Sequence, residues 1–400
     1  MFTLTQPEKG LPVTGDSLLT DVSLPALVLH QDALEHNLKW MQALADRYGA
    51  VLAPHGKTTM APALFRRQIA AGAWGITLAT AVQCAVAAQA GIRRILLANQ
   101  LVGRANMQIV ADIVRQTDSD FYCLVDSVEN VRQLGAFFAE RQLRLNVLLE
   151  LGVADGRCGC RSDEQALAVA AAIQAQPALQ LCGIEGYEGV IGGAQPQREV
   201  DAFIDRLVAV ALKLRNAGAF SVPQPLITAS GSAWYDRVAA AFSREEAQNA
   251  FLPVLRPGCY LVHDHGLYQR AQQQVLARQP QLQDALLPAM EVFACVQSAP
   301  EPGRVIVALG KRDIAHDDMP VALRVWRQGA TQPAAMGEEW RVVRLMDQHL
   351  FLQGPAEHDL QPGDIIAFGA SHPCLTFDKW RRFCLVDARL MVREVLQTCF

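Results

Sequence analysis

A lysine directly after a short apolar run is the first residue whose setting could support chemistry. Residues 51–53 are apolar, the punctuated stretch Pro54-His55-Gly56-Lys57-Thr58 follows, and a helical pattern begins after it. Lys57 would then lie at the mouth of a buried strand, where desolvation lowers the pKa of an amine and lets it form a Schiff base. The chain has six lysines, and only Lys57 and Lys311 follow such a run. The alternative is a strand-end lysine whose ammonium extends into water.

A small-residue turn at residues 228–232, Thr-Ala-Ser-Gly-Ser, is a second candidate. The backbone N–H groups and hydroxyls of such a turn can bind phosphate, which here would involve Thr228, Gly231 and Ser232. A turn of this composition can equally be only a turn. Together with a lysine that holds an aldehyde, however, it favours a phosphorylated aldehyde cofactor.

Eight apolar runs of strand length alternate with segments of helical length and would position these residues. The runs begin near residues 26, 51, 74, 95, 121, 145, 181 and 225. Continuous apolar runs are typical of parallel strands buried on both faces, and eight strand–helix units predict a (β/α)8 barrel of TIM type. A doubly wound sheet is the alternative, but no Gly-x-Gly-x-x-Gly follows the first run. Function in a barrel gathers at the C-terminal strand ends, where this sequence places His55, Lys57, Thr80, Asn99, Gln100, Asp126, Arg157, Tyr187 and the 228–232 turn.

The alternation stops after Tyr260, and a different pattern follows. Short runs rich in β-branched and aromatic residues are separated by Pro-Gly turns, which predicts an antiparallel β domain. We therefore expect an N-terminal segment (1–24) packed on the β domain, a barrel (25–275) that binds the cofactor, and a C-terminal β domain (276–400). Strands are expected at residues 290–296, 305–309, 321–326, 340–345, 365–368 and 383–386.

The bulk composition argues against several classes of protein. A net charge of −4 without any basic block disfavours a nucleic-acid surface. No apolar run reaches the roughly 18 residues of a membrane span, and residues 1–10 lack the pattern of a signal peptide. Ten cysteines without a secretion signal indicate reduced thiols and a cytoplasmic protein.

The segment Pro54-His55-Gly56-Lys57-Thr58 resembles the pyridoxal-phosphate lysine motif of the D-threonine aldolase and D-serine dehydratase family. These enzymes are relatives of alanine racemase and combine a (β/α)8 barrel with a β domain. Other stretches resemble the family in the same order along nearly the whole chain. They are Gly156-Arg157-Cys158-Gly159, Gly183-Ile184-Glu185-Gly186-Tyr187, the 228–232 turn, Arg256-Pro257-Gly258-Cys259-Tyr260, Asp347-Gln348-His349 and Ser371-His372-Pro373-Cys374-Leu375-Thr376.

The resemblance implies two bound groups and a homodimer. Lys57 would hold pyridoxal phosphate as an internal aldimine, and His372 with Cys374 would bind a divalent metal such as zinc or manganese. If this pair lies on a strand, positions i and i+2 face the same side and can reach one ion. The implied catalytic residues are Lys57, His55, Arg157 and Tyr187, and the implied cofactor-binding residues are Lys57, Arg157, Tyr187, Thr228, Gly231, Ser232, Gly258 and Tyr260.

The implied substrate is a D-amino acid with a β-hydroxyl, such as D-serine, D-threonine or a 3-hydroxyaspartate. Dehydration to a 2-oxo acid and ammonia is favoured over retro-aldol cleavage to glycine and an aldehyde. The family's aldolases tend to have histidines after the tyrosine that matches Tyr187, whereas Glu188, Gly189 and Val190 follow it here. A cysteine as the second metal ligand also resembles the dehydratases. A racemase and a non-catalytic pyridoxal-phosphate-binding protein are the remaining alternatives.

Some positions depart from the family pattern and leave the substrate open. Ala53 replaces a usual arginine, and Thr59 replaces a usual histidine. His263, His265 and His349 have no role that the sequence assigns.

Overall fold

The computed structural model describes residues 9–116, 119–282 and 284–400, in which the chain forms two compact units. Within these ranges, the barrel unit comprises Trp40–Lys57 and Leu64–Gly258, and the sheet unit comprises the described residues up to Lys39, Thr58–Ala63 and Cys259–Phe400. The first eight residues of the predicted N-terminal segment, and of the stretch searched for a signal peptide, lie outside the described ranges. Among the described residues, no helix combines the length and apolar character needed to cross a bilayer.

The first strand of the chain, β1 (Ala26–His30), belongs to the sheet unit, where it pairs with two strands of the C-terminal region. The expectation that residue 26 begins the first barrel strand is therefore wrong. Four of the five residues of β1 are buried, so β1 has the same continuous apolar sequence as a barrel strand.

Eight parallel strands of the barrel unit form one sheet, as a TIM-type barrel requires. The last of them was not expected from the sequence and takes the place that β1 was expected to fill. The strands are β2 (Val51–Leu52), β3 (Ile76–Leu78), β4 (Arg94–Gln100), β5 (Asp120–Val125), β6 (Leu145–Leu151), β7 (Leu179–Gly186), β8 (Leu226–Ala229) and β9 (Leu252–Leu255).

The barrel closes between β2 and β3. His55 forms an isolated parallel bridge with Thr77, and the N–H of Thr77 donates to the carbonyl of Pro54 at 2.8 Å. At the other edge, β2 pairs with β9 in register. Each barrel strand except β3 contributes one buried residue to a common core cluster, from within the strand or, for Ala53, directly after it. The cluster consists of Ala53, Leu96, Leu124, Leu148, Cys182, Leu226 and Val254.

Helices alternate with the barrel strands, and their amphipathic sequences bury one face. Ser127 and Ser162 cap two of them, and the Ser162 cap is reciprocated by the Gln165 side chain. The described helices, of which α10 and α11 follow the barrel and belong to the sheet unit, are α1 (Gln31–Arg47), α2 (Pro62–Ala70), α3 (Ala81–Gln89), α4 (Arg104–Gln116), α5 (Val128–Glu140), α6 (Asp163–Gln174), α7 (Pro196–Asn216), α8 (Tyr235–Phe242), α9 (Glu245–Gln248), α10 (Leu267–Arg278) and α11 (Cys374–Phe377).

The sheet unit is built on the path β13-β12-β16-β10-β1-β17-β18, with β11, β15 and β14 continuing from β10. All pairs are antiparallel except β1 with β17, so the predicted β domain is confirmed with one parallel pair. The six expected strands are all present, and β13, β15 and β18 are additional. The bounds are β10 (Met290–Glu301), β11 (Arg304–Val307), β12 (Val321–Trp326), β13 (Ala334–Ala335), β14 (Arg341–Leu345), β15 (Leu350–Gln353), β16 (Ile365–Gly369), β17 (Arg382–Val386) and β18 (Val392–Gln397).

The described part of the N-terminal segment lies against this sheet. The N–H of Gly15 donates a hydrogen bond of 2.8 Å to the backbone carbonyl of Val392. Leu18 is fully buried in a hydrophobic core that also contains Phe293 and Trp326. Residues before β1 thus extend the hydrophobic core of the sheet unit.

Candidate active site

Lys57 lies directly after the first barrel strand, in a short 3-10 turn of residues Gly56–Thr58. Its side chain is partly buried. His55 precedes it, and the buried Nδ1 of His55 has no hydrogen-bond partner. Burial lowers the pKa of His55, and the charges of Arg256, Lys57 and Arg157 lower it further. His55 is therefore neutral at pH 7 and has a ring nitrogen available to a ligand.

Arg157 and Tyr187 come from the ends of neighbouring strands, β6 and β7, and form a stacked pair. The guanidinium carbon of Arg157 lies 4.4 Å from the centre of the Tyr187 ring, which is a cation–π contact. The ring also approaches two glycines: a Cβ on Gly231 would lie 3.0 Å from its edge, and one on Gly189 only 2.4 Å. The sequence-predicted residues Arg157, Tyr187 and Gly231 are thus brought together at one side of the barrel mouth.

The 228–232 turn follows β8, the seventh barrel strand. Ser232 Oγ accepts a hydrogen bond from the N–H of Gly258 at 3.2 Å, so two predicted cofactor-binding residues from consecutive strand ends meet. Loops after strands seven and eight are where barrels often hold phosphate. Thr228 differs from the expectation: it is fully buried, and its hydroxyl donates to the carbonyl of Val254 at 3.0 Å. Its side chain belongs to the sheet and not to the turn's binding surface.

Glu188 was not singled out by the sequence as a site residue, yet it shapes this turn. Its carboxylate accepts from the N–H of Gly231 at 2.6 Å and from that of Ser230 at 3.0 Å. The residue is 0% exposed, and burial raises its pKa. The amide of Gly231, which the sequence analysis assigned to phosphate, and the amide of the neighbouring Ser230 are therefore already satisfied from within the protein.

A buried ion pair, also missed by the sequence analysis, lies at the ends of β7 and β9. The Arg256 guanidinium donates hydrogen bonds to the carboxylate of Glu185 and to the backbone carbonyl of Gly186. Both side chains are 2% exposed. Nε of Arg256 and Oε2 of Glu185 nevertheless have no hydrogen-bond partner. Buried polar atoms are usually satisfied, so these orphan atoms, like Nδ1 of His55, point to a polar group that binds here.

Three potential metal-ligand atoms, from Asp126, Glu150 and Cys158, lie within 4.8 Å of one another, the one such cluster in the described ranges. Burial first, and then the charge of Glu185, raise the pKa of Glu150 to about 8. Burial also raises the pKa of Cys158. A metal ion at this cluster would have to displace the protons of Glu150 and Cys158. Asp126 instead accepts from the N–H of Gly159 at 2.9 Å and so holds the loop that carries Arg157.

Two open cavities meet at Asp126 and Cys158. One of about 440 Å³ includes Arg157, and one of about 510 Å³ includes Thr80, Asn99 and Gln100. Volumes of this size suit a small ligand. The strand-end residues predicted from the sequence therefore line concave space at the barrel mouth.

His372 and Cys374 lie in the sheet unit, but not on a strand as the sequence analysis assumed. Cys374 begins α11, and Pro373 before it already has helical φ and ψ of −61° and −47°. The two side chains nevertheless lie close enough to influence each other's pKa: the pKa of His372 is raised to about 9 and that of Cys374 is lowered. Asp317 lies with its Oδ2 2.8 Å from Nδ1 of His372. A carboxylate on one ring nitrogen directs the other to a metal, so these residues fit a divalent ion.

The remaining residues of interest lie elsewhere in the sheet unit. Tyr260 is 2% exposed and follows Cys259. His349 is exposed in the turn between β14 and β15. His263 and His265 are shielded from solvent, and burial lowers the pKa of each to about 4. Both therefore stay neutral at pH 7.

The residues that the sequence analysis missed carried only weak signals. Glu185 is a charged residue inside an apolar run, and Arg256 stands in a quoted motif, so both could have been noticed. Glu188 and Asp317 lie 42 to 55 positions from their partners, and no local pattern links them.

Comparison with known proteins identifies the family. The family model described as "Alanine racemase, N-terminal domain" matches residues 29–264, and the family model described as "Putative serine dehydratase domain" matches residues 289–386. A D-threonine aldolase of Arthrobacter sp is 27% identical over 386 residues, which cover 96% of this chain and 92% of that protein.

Solved structures have the same fold. The D-threonine aldolase of Filomicrobium marinum superposes with a TM-score of 0.80 at 25% identity and covers 97% of this chain and 98% of its own. The D-threo-3-hydroxyaspartate dehydratase of Delftia sp. HT23 gives a TM-score of 0.77 at 22% identity and covers 96% and 99%. The chain therefore belongs to the D-threonine aldolase and D-serine dehydratase-like family, with the alanine racemase-type fold.

Proposed function

We propose that this protein is a pyridoxal-phosphate- and divalent-metal-dependent dehydratase. Its substrate would be a D-3-hydroxyamino acid such as D-serine, D-threonine or a 3-hydroxyaspartate, and its products a 2-oxo acid and ammonia. When bound, the cofactor supplies an electron sink for the substrate Cα, and the metal supplies a Lewis acid for the β-hydroxyl.

Residues of the barrel unit have the chemistry to hold the cofactor. Lys57 would hold its aldehyde covalently, and Ser232 with Gly258 would bind its phosphate. The orphan polar atoms of His55, Glu185 and Arg256 support a polar ring in this region. Once released by the substrate, the Lys57 amine is the group that would take the Cα proton.

Residues of the sheet unit would hold the metal. His372 and Cys374 offer one nitrogen and one sulfur, and Asp317 orients the imidazole. These two ligands leave positions for water and a substrate hydroxyl. Metal dependence is part of the proposal because dehydration needs help for a poor leaving group.

The environment of Glu188 is the observation that favours dehydration over retro-aldol cleavage. Retro-aldol cleavage needs a base that takes the proton of the β-hydroxyl. The first titratable residue after Tyr187 is Glu188, whose buried carboxylate already accepts two backbone N–H bonds. Gly189 and Val190 follow and provide no base.

Aldol cleavage remains the second candidate because of the relatives. The D-threonine aldolase of Arthrobacter sp aligns with 96% of this chain, and that of Filomicrobium marinum has the same fold. Neutral His55 would be the candidate base for that reaction. We also propose a homodimer in the cytoplasm, and light scattering of the purified protein tests the dimer.

A panel of D-3-hydroxyamino acids, with product identification by mass, tests the reaction. We expect ammonia and a 2-oxo acid from at least one of them, with loss of activity in EDTA and recovery with a divalent ion. Glycine and an aldehyde would establish the second candidate. Activity that EDTA does not change would remove the metal from the proposal.

A further inference from the structure

Two cysteines of the sheet unit lie at a separation that suits one metal ion. Sγ of Cys259 and Sγ of Cys374 are 3.8 Å apart. A disulfide would bring them to about 2.05 Å, so they are separate thiols. Zinc–sulfur bonds are about 2.3 Å long, and two sulfurs on a tetrahedral ion therefore stand about 3.8 Å apart. The two sulfurs, which are in hydrogen-bonding contact, thus already stand at the separation that one zinc ion would require.

A third atom continues the same geometry. Oγ1 of Thr58 lies 3.4 Å from the Cys374 sulfur and 3.8 Å from the Cys259 sulfur. On a tetrahedral zinc, an oxygen bound at about 2.1 Å would lie about 3.6 Å from each sulfur. The Thr58 hydroxyl thus marks where an oxygen ligand, or the hydroxyl of a substrate, could stand beside the two sulfurs.

Cys259 is buried, and burial raises the pKa of its thiol well above the usual range, so a bound ion would have to displace its proton. It is 3% exposed, and its sulfur is hydrogen-bonded by Tyr268 as well as facing Cys374. The Tyr268 ring lies edge-on to the His372 ring, with centres 6.2 Å apart. Polar partners around a buried sulfur favour a ligand over a thiol that only fills space.

We propose that Cys259 is a third protein ligand of the metal, which gives a Cys259–His372–Cys374 set with one open position. The inference rests on the metal dependence of the proposed function. Three protein ligands and one open position describe catalytic zinc sites, and two thiolates favour zinc over magnesium or manganese. The three donor atoms do not all lie within 4.8 Å of one another, so binding of one ion by all three would require a side-chain rotation.

Cobalt substitution counts the thiolates directly. The purified protein is stripped of metal under a phosphine reductant and titrated with Co²⁺, and the near-ultraviolet sulfur-to-cobalt charge-transfer band is recorded. We expect Cys259→Ser to lose about half of this intensity per bound cobalt, because each thiolate contributes separately. Cys399→Ser is the matched control, since Cys399 is exposed near the C-terminus, and it should keep the full band.

A measurement on the wild-type protein tests the same proposal without relying on variants that could fail to fold. X-ray absorption of the zinc-loaded protein should show two sulfur neighbours at about 2.3 Å. One sulfur neighbour, or an unchanged band in folded Cys259→Ser, overturns the proposal while EDTA-sensitive activity leaves the proposed function intact. No charge-transfer band in the wild type, together with EDTA-insensitive activity, overturns both.

Discussion

The Glu188 carboxylate accepts a 2.6 Å hydrogen bond from the backbone N–H of Gly231, inside the turn that the sequence assigns to phosphate. The same carboxylate accepts a second hydrogen bond, of 3.0 Å, from the backbone N–H of Ser230. The turn is therefore shaped by an internal anion, and we propose that an external phosphate binds on the other side of the turn, where Ser232 meets Gly258 from the end of β9.

Replacing Glu188 by alanine should weaken both the fold and cofactor binding. Two buried amides would lose their acceptor, which we expect to cost about 2–5 kcal/mol of unfolding free energy. Glu188→Gln keeps one oxygen acceptor and should lose roughly half as much. Urea unfolding and pyridoxal-phosphate titration measure the two effects. The exposed Glu246→Ala is the control, and wild-type stability in Glu188→Ala would contradict this role.

Replacing Lys57 by alanine should abolish the visible absorption of the protein with pyridoxal phosphate. Activity should fall by about 10²–10⁴-fold or more, because the variant loses both the covalent anchor and the proton acceptor. Absorption spectra and steady-state rates measure this. Lys213→Ala, at an exposed position of α7, should behave as wild type. An unchanged spectrum in Lys57→Ala would show that another residue holds the cofactor.

Replacing Asp317 by asparagine should weaken metal binding while the fold remains intact. The variant loses the carboxylate that orients His372, and loss of such a partner typically costs about 10–100-fold in metal affinity. Competition with a chromophoric chelator gives the dissociation constants. The neighbouring Asp318→Asn tests for a general charge effect, since Asp318 pairs with exposed Arg270. Equal affinities for both variants would rule out this role for Asp317.

Glu150 should make the stability of the protein fall as pH rises. Burial, followed by the Glu185 charge, raises the pKa of Glu150 to about 8, so the folded protein retains a proton that the unfolded chain releases near pH 4. The stabilisation is complete below the unfolded pKa and is lost as pH rises through the folded pKa.

Glu150→Gln should remove this dependence. Relative to the variant, the wild type should lose about 3 kcal/mol of unfolding free energy between pH 5 and pH 8, since one pKa unit corresponds to about 1.4 kcal/mol. Urea unfolding at several pH values provides the comparison, with Glu246→Gln as control. Parallel curves for wild type and Glu150→Gln would mean that Glu150 is ionised in the folded state.

The barrel and its mouth were predictable because buried parallel strands have a local signature. Lys57 was located by a strand-like run and a turn, and Arg157 and Tyr187 by motifs at strand ends. The same signature led to a wrong prediction at Ala26–His30. A strand buried on both faces has the same continuous apolar sequence in a barrel and in the sheet of the other unit. The short strand Leu252–Leu255, which contains a proline, was missed.

The partners of the site residues could not be predicted. Asp317 meets His372 across 55 positions, and Cys259 meets Cys374 across 115. Such contacts depend on tertiary packing, which no spacing rule reports. The local structure of Cys374 was also predicted wrongly, since it begins a helix and does not lie on a strand.

Product analysis with D-threonine tests the central claim most directly, because the two candidate reactions give different carbon skeletons. Dehydration gives 2-oxobutanoate and ammonia in equal amounts, whereas cleavage gives glycine and acetaldehyde. We predict that a metal-loaded, pyridoxal-phosphate-loaded protein converts D-threonine to 2-oxobutanoate with no accumulation of glycine. Glycine and acetaldehyde as the main products would contradict the account and assign the protein to the aldolases.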